Sequence, residues 1–231
     1  MLNLIKLELK KFKIKGNIFA ALICNVSILG LLCLIFFVER AERATTFNNY
    51  EALFGILGSI VNATFIIFAG VLISKFVIEE YKNKTIYLLF NYPISRKKLI
   101  IAKLIIISVF TFSFIVISNL LVFSCFYLIQ IVTHTTLEEL TFKLFLSGFT
   151  GVITSALANS MICLIPLYFG LRKKSTPVTI ISSFLVASFL NSNNGGFTLS
   201  SIIAIPIAFM VIGIIIVYIT IKDIDIKDVA V

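Results

Sequence analysis

Apolar residues in this chain gather into long runs separated by short polar stretches. Residues 16–38, 53–77, 99–132, 144–171 and 198–221 each reach the length at which a helix crosses the roughly 30 Å hydrocarbon core of a bilayer, about 20 residues. Membrane β-strands alternate apolar and polar positions over about 10 residues, and these runs do not, so helices are predicted. The run at 99–132 exceeds one crossing, which tilt or an extension beyond the membrane would absorb. Pro166 is expected to kink the run at 144–171, whose Gly148, Gly151, Ala156 and Ala158 suit close helix contact. A sixth run, Val178–Leu190, makes only about 20 Å of helix before Asn191-Ser192-Asn193-Asn194-Gly195-Gly196. Either it extends to about residue 194, or it stops short and the Asn/Gly stretch dips back as a re-entrant element sheltered by protein.

Two polar segments carry further structure. In residues 1–15, Leu2, Ile5, Leu9 and Phe12 share one helical face flanked by Lys6, Lys10 and Lys13, while Leu4, Leu7 and Ile14 fall off that stripe. This pattern predicts a helix lying in the inner membrane interface. It is not a signal-peptide start, because the apolar run after it is too long and no small-residue cleavage site ends it. Residues 78–98 form the one long polar segment between two spans. There, helix-forming residues give way to Asn91-Tyr92-Pro93 and then to Ser95, a helix N-cap, so a short helix, a turn and a fresh helix are expected.

Charge orients the chain. With six spans and both termini on one side, seventeen of the twenty Lys and Arg residues fall on that side, leaving Arg40, Arg43 and Lys143 opposite. Basic short loops resist translocation, so the basic side, with both termini, is expected to be cytoplasmic. The net charge of +9 therefore reads as topology and contact with anionic lipid, with no nucleic-acid partner. Composition agrees: 59% of residues are hydrophobic, against about 45–50% in a soluble domain. The expected fold is a single all-α integral membrane domain over residues 1–231, with six transmembrane helices, an interfacial N-terminal helix and a short cytoplasmic helix at 78–98, in the cell membrane.

The pattern Glu79-Glu80, Lys84-Thr85, Leu88-Leu89, Pro93-Ile94-Ser95-Arg96 and Lys103 resembles the first cytoplasmic loop of ABC-2-type transporter permeases, notably small bacterial permeases of bacteriocin or lantibiotic immunity and peptide export. Family members more often carry Gly before the Thr, where this chain has Lys84. The resemblance implies a permease that pairs with itself or a sister permease, each receiving one ABC ATPase from the cytoplasm. It also implies outward movement of amphipathic peptides or hydrophobic compounds, with ATP used by the partner and no cofactor bound by this chain. Glu79, Glu80, Lys84, Thr85, Ile86, Tyr87, Phe90, Pro93 and Arg96 would then form the ATPase-coupling surface. By residue type alone, the same residues could equally be topology charges and ordinary helix packing.

Absent chemistry narrows the choice. The chain has no G-x-x-x-x-G-K-[ST] phosphate loop, so any ATP motor is another polypeptide. No Asp or Glu lies deep within a span, which disfavours a proton- or ion-coupled carrier. The in-span polar residues Asn25, Asn62, Asn119 and Asn159 are candidates for a substrate path, or else interhelical hydrogen-bond partners. Cys24, Cys33, Cys125 and Cys163 lie in apolar runs as small buried residues, and the lone His134 is a poor metal ligand. Glu79-Glu80 also resembles the paired-glutamate motif of an intramembrane protease family, but that chemistry needs in-span histidines that this chain lacks. Two other functions remain conceivable: an immunity protein that binds a toxic peptide without an ATPase, and a secondary multidrug carrier.

Overall fold

The computed structural model describes residues 2–11, 14–42, 50–83, 96–133, 142–191, 193–194, 197–198 and 204–227. The described residues are helical almost throughout, as expected from the apolar runs. The helices are α1 (Leu2–Lys11), α2 (Ile14–Glu42), α3 (Tyr50–Ile73), α4 (Glu79–Lys82), α5 (Arg96–Thr133), α6 (Phe142–Ile162), α7 (Pro166–Lys173), α8 (Thr176–Leu190) and α9 (Ala204–Lys227). Between α3 and α4 the wider π-helical turn Ser74–Ile78 keeps the helix going without a break. Among the described residues, five helical stretches are long and apolar enough to span a membrane: Lys15–Val38, Phe54–Lys82, Lys97–Ile129, Leu146–Lys173 and Ile205–Lys222. The apolar helix α8 has 15 residues, about 22 Å, and falls short of a full crossing. At 38 residues, or about 57 Å, α5 projects well past the hydrocarbon core.

Helix α3 is the hub. It packs against α5, α6 and α8 and more lightly against α2, and it contributes to all three buried clusters. Toward its start, Leu57, Val61 and Phe65 meet Leu32 and Phe36 of α2 and Val122 and Phe126 of α5. Midway, Ile66 meets Ala158 and Ile162 of α6 and Ala187 and Leu190 of α8. Beyond its end, Val77 and Ile78 of the π turn join Ile100, Leu104 and Ile107 of α5 and Leu167 of α7, with Ile5 and Leu9 of α1 against them. Lipid tails are as apolar as Leu, so close contact between helices, more than water exclusion, drives this association. A Cβ on Gly70 of α3 would sit 2.4 Å from the Ser183 Cβ of α8, and one on Gly213 of α9 would sit 2.7 Å from the Met161 carbonyl oxygen of α6. Their outward faces expose Leu22, Val26, Leu34 and Phe37 on α2 and Ile207, Val211, Ile215 and Tyr218 on α9, the surface a bilayer would cover.

Three expectations are corrected. The fourth span is two helices, because Pro166 has no N–H to offer the Ile162 carbonyl; that carbonyl instead accepts from Ile165 N at 3.0 Å, and Pro166 opens α7. The fifth helix does not extend to residue 194. It ends at Leu190, where the Asn191 side chain donates to the Ala187 carbonyl at 2.9 Å. Asn193 and Asn194 then pair antiparallel with Thr198 and Phe197, so the last helix starts at Ala204, not at residue 198. Helix α7 closes through Lys174 in the left-handed region (φ 46°), its N–H returning to Gly170 and Leu171.

Candidate functional site

At the end of the bundle where α3 finishes and α5 begins, one buried cation gathers three elements. Lys103 of α5 is 5% exposed although it carries an ammonium. Its Nζ donates to the carboxylate of Glu80 in α4 and, at 2.9 Å, to the Phe76 carbonyl within the π turn. Glu8 of α1 lies 3.9 Å away, completing an ion-pair cluster of one ammonium and two mostly buried carboxylates. An ammonium has three donors and no acceptor, so two carboxylates and a carbonyl suit it. The helical register explains the meeting: Lys103 lies on the α5 face of Ile100, Leu104 and Ile107, and Glu8 lies beside Ile5 and Leu9 on α1. π turns recur at functional sites in helices. This one is pinned from outside its own helix.

In the opposite half of the bundle, α3, α6 and α9 line an open cleft of about 750 Å³ that also touches the end of α8. Asn62 and Asn159, 6% and 7% exposed, both line it. Its walls are partly missing side chains: a Cβ on Gly55, Gly58 or Gly151 would meet nothing within 4 Å. Two buried acceptors there, Asn62 Oδ1 and Asn191 Oδ1, lack hydrogen-bond partners among the described residues. The other two asparagines behave differently. Asn25 Nδ2 donates to the Ala21 carbonyl at 3.0 Å and Asn119 Nδ2 to the Ile115 carbonyl at 2.9 Å, each within its own helix and away from this cleft.

Residues 4–191 match the ABC-2 family transporter protein family, which spans everything from α1 through α8. The chain belongs to the ABC-2 family. It is thus a multi-pass membrane protein of the permease type, and membership implies an ABC ATPase as partner. The chain is also similar to the uncharacterized protein YcbO of Bacillus subtilis (strain 168), 40% identical over 227 residues, covering 98% of this chain and all of that one. No solved structure matches.

For this ABC-2 protein, the expected ATPase-coupling residues divide into three groups. Glu79 is exposed at the start of α4, as a docking residue must be. Glu80 is turned to a partner inside the chain, Lys103. Lys84, Thr85, Ile86, Tyr87, Phe90 and Pro93 lie outside the described residues, as does the side chain of Arg96, the first residue of α5. The sequence pattern groups Lys103 with the first cytoplasmic loop and does not single out Glu8. A signal was available: each is a lone charge within an apolar helical stripe, and the two are of opposite sign.

Proposed function

We propose that this ABC-2 permease is the membrane-spanning subunit of an ATP-driven exporter for amphipathic peptides or hydrophobic compounds. A separate ATPase docks on residues 78–98 and supplies the energy. The junction at Lys103 supports this reading most directly. It ties the base of that segment (Glu80), the π turn that continues α3 (Phe76), the start of α5 and the interfacial helix α1 into one charged knot. A push on residues 78–98 would thereby reach α3, the helix against which α5, α6 and α8 all pack. The junction end carries the lysine-bearing helix α1 and the Arg172-Lys173-Lys174 turn, so on the positive-inside rule it is the cytoplasmic end in this reading.

The test is co-purification in mild detergent followed by an ATP-hydrolysis assay of the eluate. Exposed Glu79 is the position to reverse, because reversing Glu80 would break an internal ion pair and confound docking with folding. Wild type should bring down an ATPase, and Glu79→Lys should lose most of it while remaining monodisperse. If no ATPase accompanies the wild-type chain under conditions that preserve other membrane complexes, the exporter reading fails and a toxin-binding immunity protein takes its place.

A further inference from the structure

We infer that the π turn Ser74–Ile78 and the break between α6 and α7 work as one hinge, latched from outside by α5. Each is a place where a helix departs from its regular ladder. In the π turn the Glu79 N–H returns to the Ser74 carbonyl, five residues back. At the break the Leu164 and Ile165 N–H groups reach only three residues back, to the Met161 and Ile162 carbonyls, at 3.1 and 3.0 Å. Irregular turns of both kinds mark hinges within helices. The two lie against each other: Val77 and Ile78 of the π turn share one buried cluster with Cys163, Leu164 and Leu167 of the broken segment. A Cβ on Gly170 of α7 would come within 2.9 Å of Ile78 Cδ1, so α7 lies flush on the turn.

Helix α5 runs past both without interruption and gives each one side-chain donor. Lys103 Nζ holds the Phe76 carbonyl at 2.9 Å, and further along the same helix Ser108 Oγ holds the Ser160 carbonyl at 3.1 Å. The break is what makes that carbonyl available, since the Leu164 N–H, its partner in a regular α-helix, turns to Met161 instead. Thr111 and Ser113 of α5 bond their own helix, whereas the Ser108 hydroxyl, on a residue 8% exposed, crosses to a neighbour. A side-chain bond opens without unwinding the helix on either side, as a latch must. When it opens, α4 and α7 tilt together against α3 and α6, the terminal residues between them absorbing the change.

The hinge rests on the exporter reading only for the force that works it. Its test uses the full-length chain in lipid nanodiscs without an ATPase, so it can fail while that reading stands. Nitroxides are attached through unnatural amino acids at the exposed positions Lys82 of α4, Lys173 of α7 and Ile117 of α5. This leaves the native cysteines in place, among them Cys163, whose Sγ also bonds the Ser160 carbonyl. Doubly labelled chains are diluted with unlabelled chain, and pairwise distances are measured by pulsed electron–electron resonance. In Ser108→Ala, the Lys82–Ile117 and Lys173–Ile117 distances should both gain a second population, enlarged about fivefold over wild type as the loss of one hydrogen bond implies. The Lys82–Lys173 distance should stay single. Ser108→Thr keeps the hydroxyl and should match wild type. Lys103→Met, made at the other irregularity, should shift Lys173 as well as Lys82; if it does not fold, the Ser108 variants still decide the matter. A Ser108→Ala response confined to Lys173, a split Lys82–Lys173 distance, or no change in either distance to Ile117 would overturn the proposal. So would Ser108→Thr behaving like Ser108→Ala, or a folded Lys103→Met that moves Lys82 alone.

Discussion

Replacing Lys103 with Met keeps the length and most of the apolar stem of the side chain but removes its ammonium. Glu80 and Glu8 would then each lose the Lys103 ammonium, and the Phe76 carbonyl would lose the hydrogen bond from its Nζ. Two unit charges at the 3.9 Å of the Lys103–Glu8 pair attract by about 4 kcal/mol at an effective dielectric constant of about 20. Much of that gross attraction is offset by the desolvation of the charges, so the pair itself adds little net stability. Removing one member is different, because it strands buried charge, and such changes cost about 3–5 kcal/mol. For a chain of this size, that corresponds to a fall in thermal midpoint of roughly 10 °C. The assay is thermal denaturation of the purified full-length protein in detergent, for Lys103→Met, Glu80→Gln and the double variant. Glu80→Gln in the Lys103→Met background should recover a large part of the loss, since it removes one stranded carboxylate. A Lys103→Met midpoint within about 1 °C of wild type, or a double variant no better than Lys103→Met, would refute a buried electrostatic junction.

Other substitutions probe separate contacts. Gly70→Ala places a methyl 2.4 Å from Ser183 Cβ and should force α3 and α8 apart at about 1–3 kcal/mol; adding Ser183→Gly should restore most of the thermal midpoint. Gly213→Ala should cost at least as much, because the obstacle is the Met161 backbone carbonyl and cannot rotate away; loss of α9 packing would appear as faster proteolysis after residue 191. Lys174→Gly relieves a left-handed backbone at φ 46° and should raise the thermal midpoint by an amount equivalent to about 1 kcal/mol.

The membrane helices were legible because hydropathy at this length has few other outcomes. The interruptions were legible only in part. Pro166 was expected to bend one helix, but it has no N–H for the Ile162 carbonyl, which bonds Ile165 N instead, and α6 ends there and α7 starts. The shortness of the fifth segment was visible in Val178–Leu190, whereas the pairing of Asn193-Asn194 with Phe197-Thr198 depends on strand register, which alternation over two residues cannot reveal. Among the candidate asparagines, residue type gave no means of separating Asn62 and Asn159 from Asn25 and Asn119. The difference is three-dimensional: the first two line a cleft opened by glycines on neighbouring helices, and the last two bond to their own helices. Lys103 was misplaced for a related reason. Counting basic residues for topology treats every lysine near a membrane edge as solvated, yet this one has its own apolar neighbours on the buried face of α5.

ATP-dependent accumulation in inside-out membrane vesicles tests the central claim most directly. Vesicles containing this permease with its ATPase are given a fluorescent amphipathic peptide or a hydrophobic dye, with and without ATP and with a protonophore. The account predicts uptake that requires ATP, survives collapse of the proton gradient and disappears with Glu79→Lys. Uptake that stops with the protonophore and proceeds without ATP, or ATP-dependent uptake indifferent to Glu79→Lys, would contradict an ATPase acting through residues 78–98.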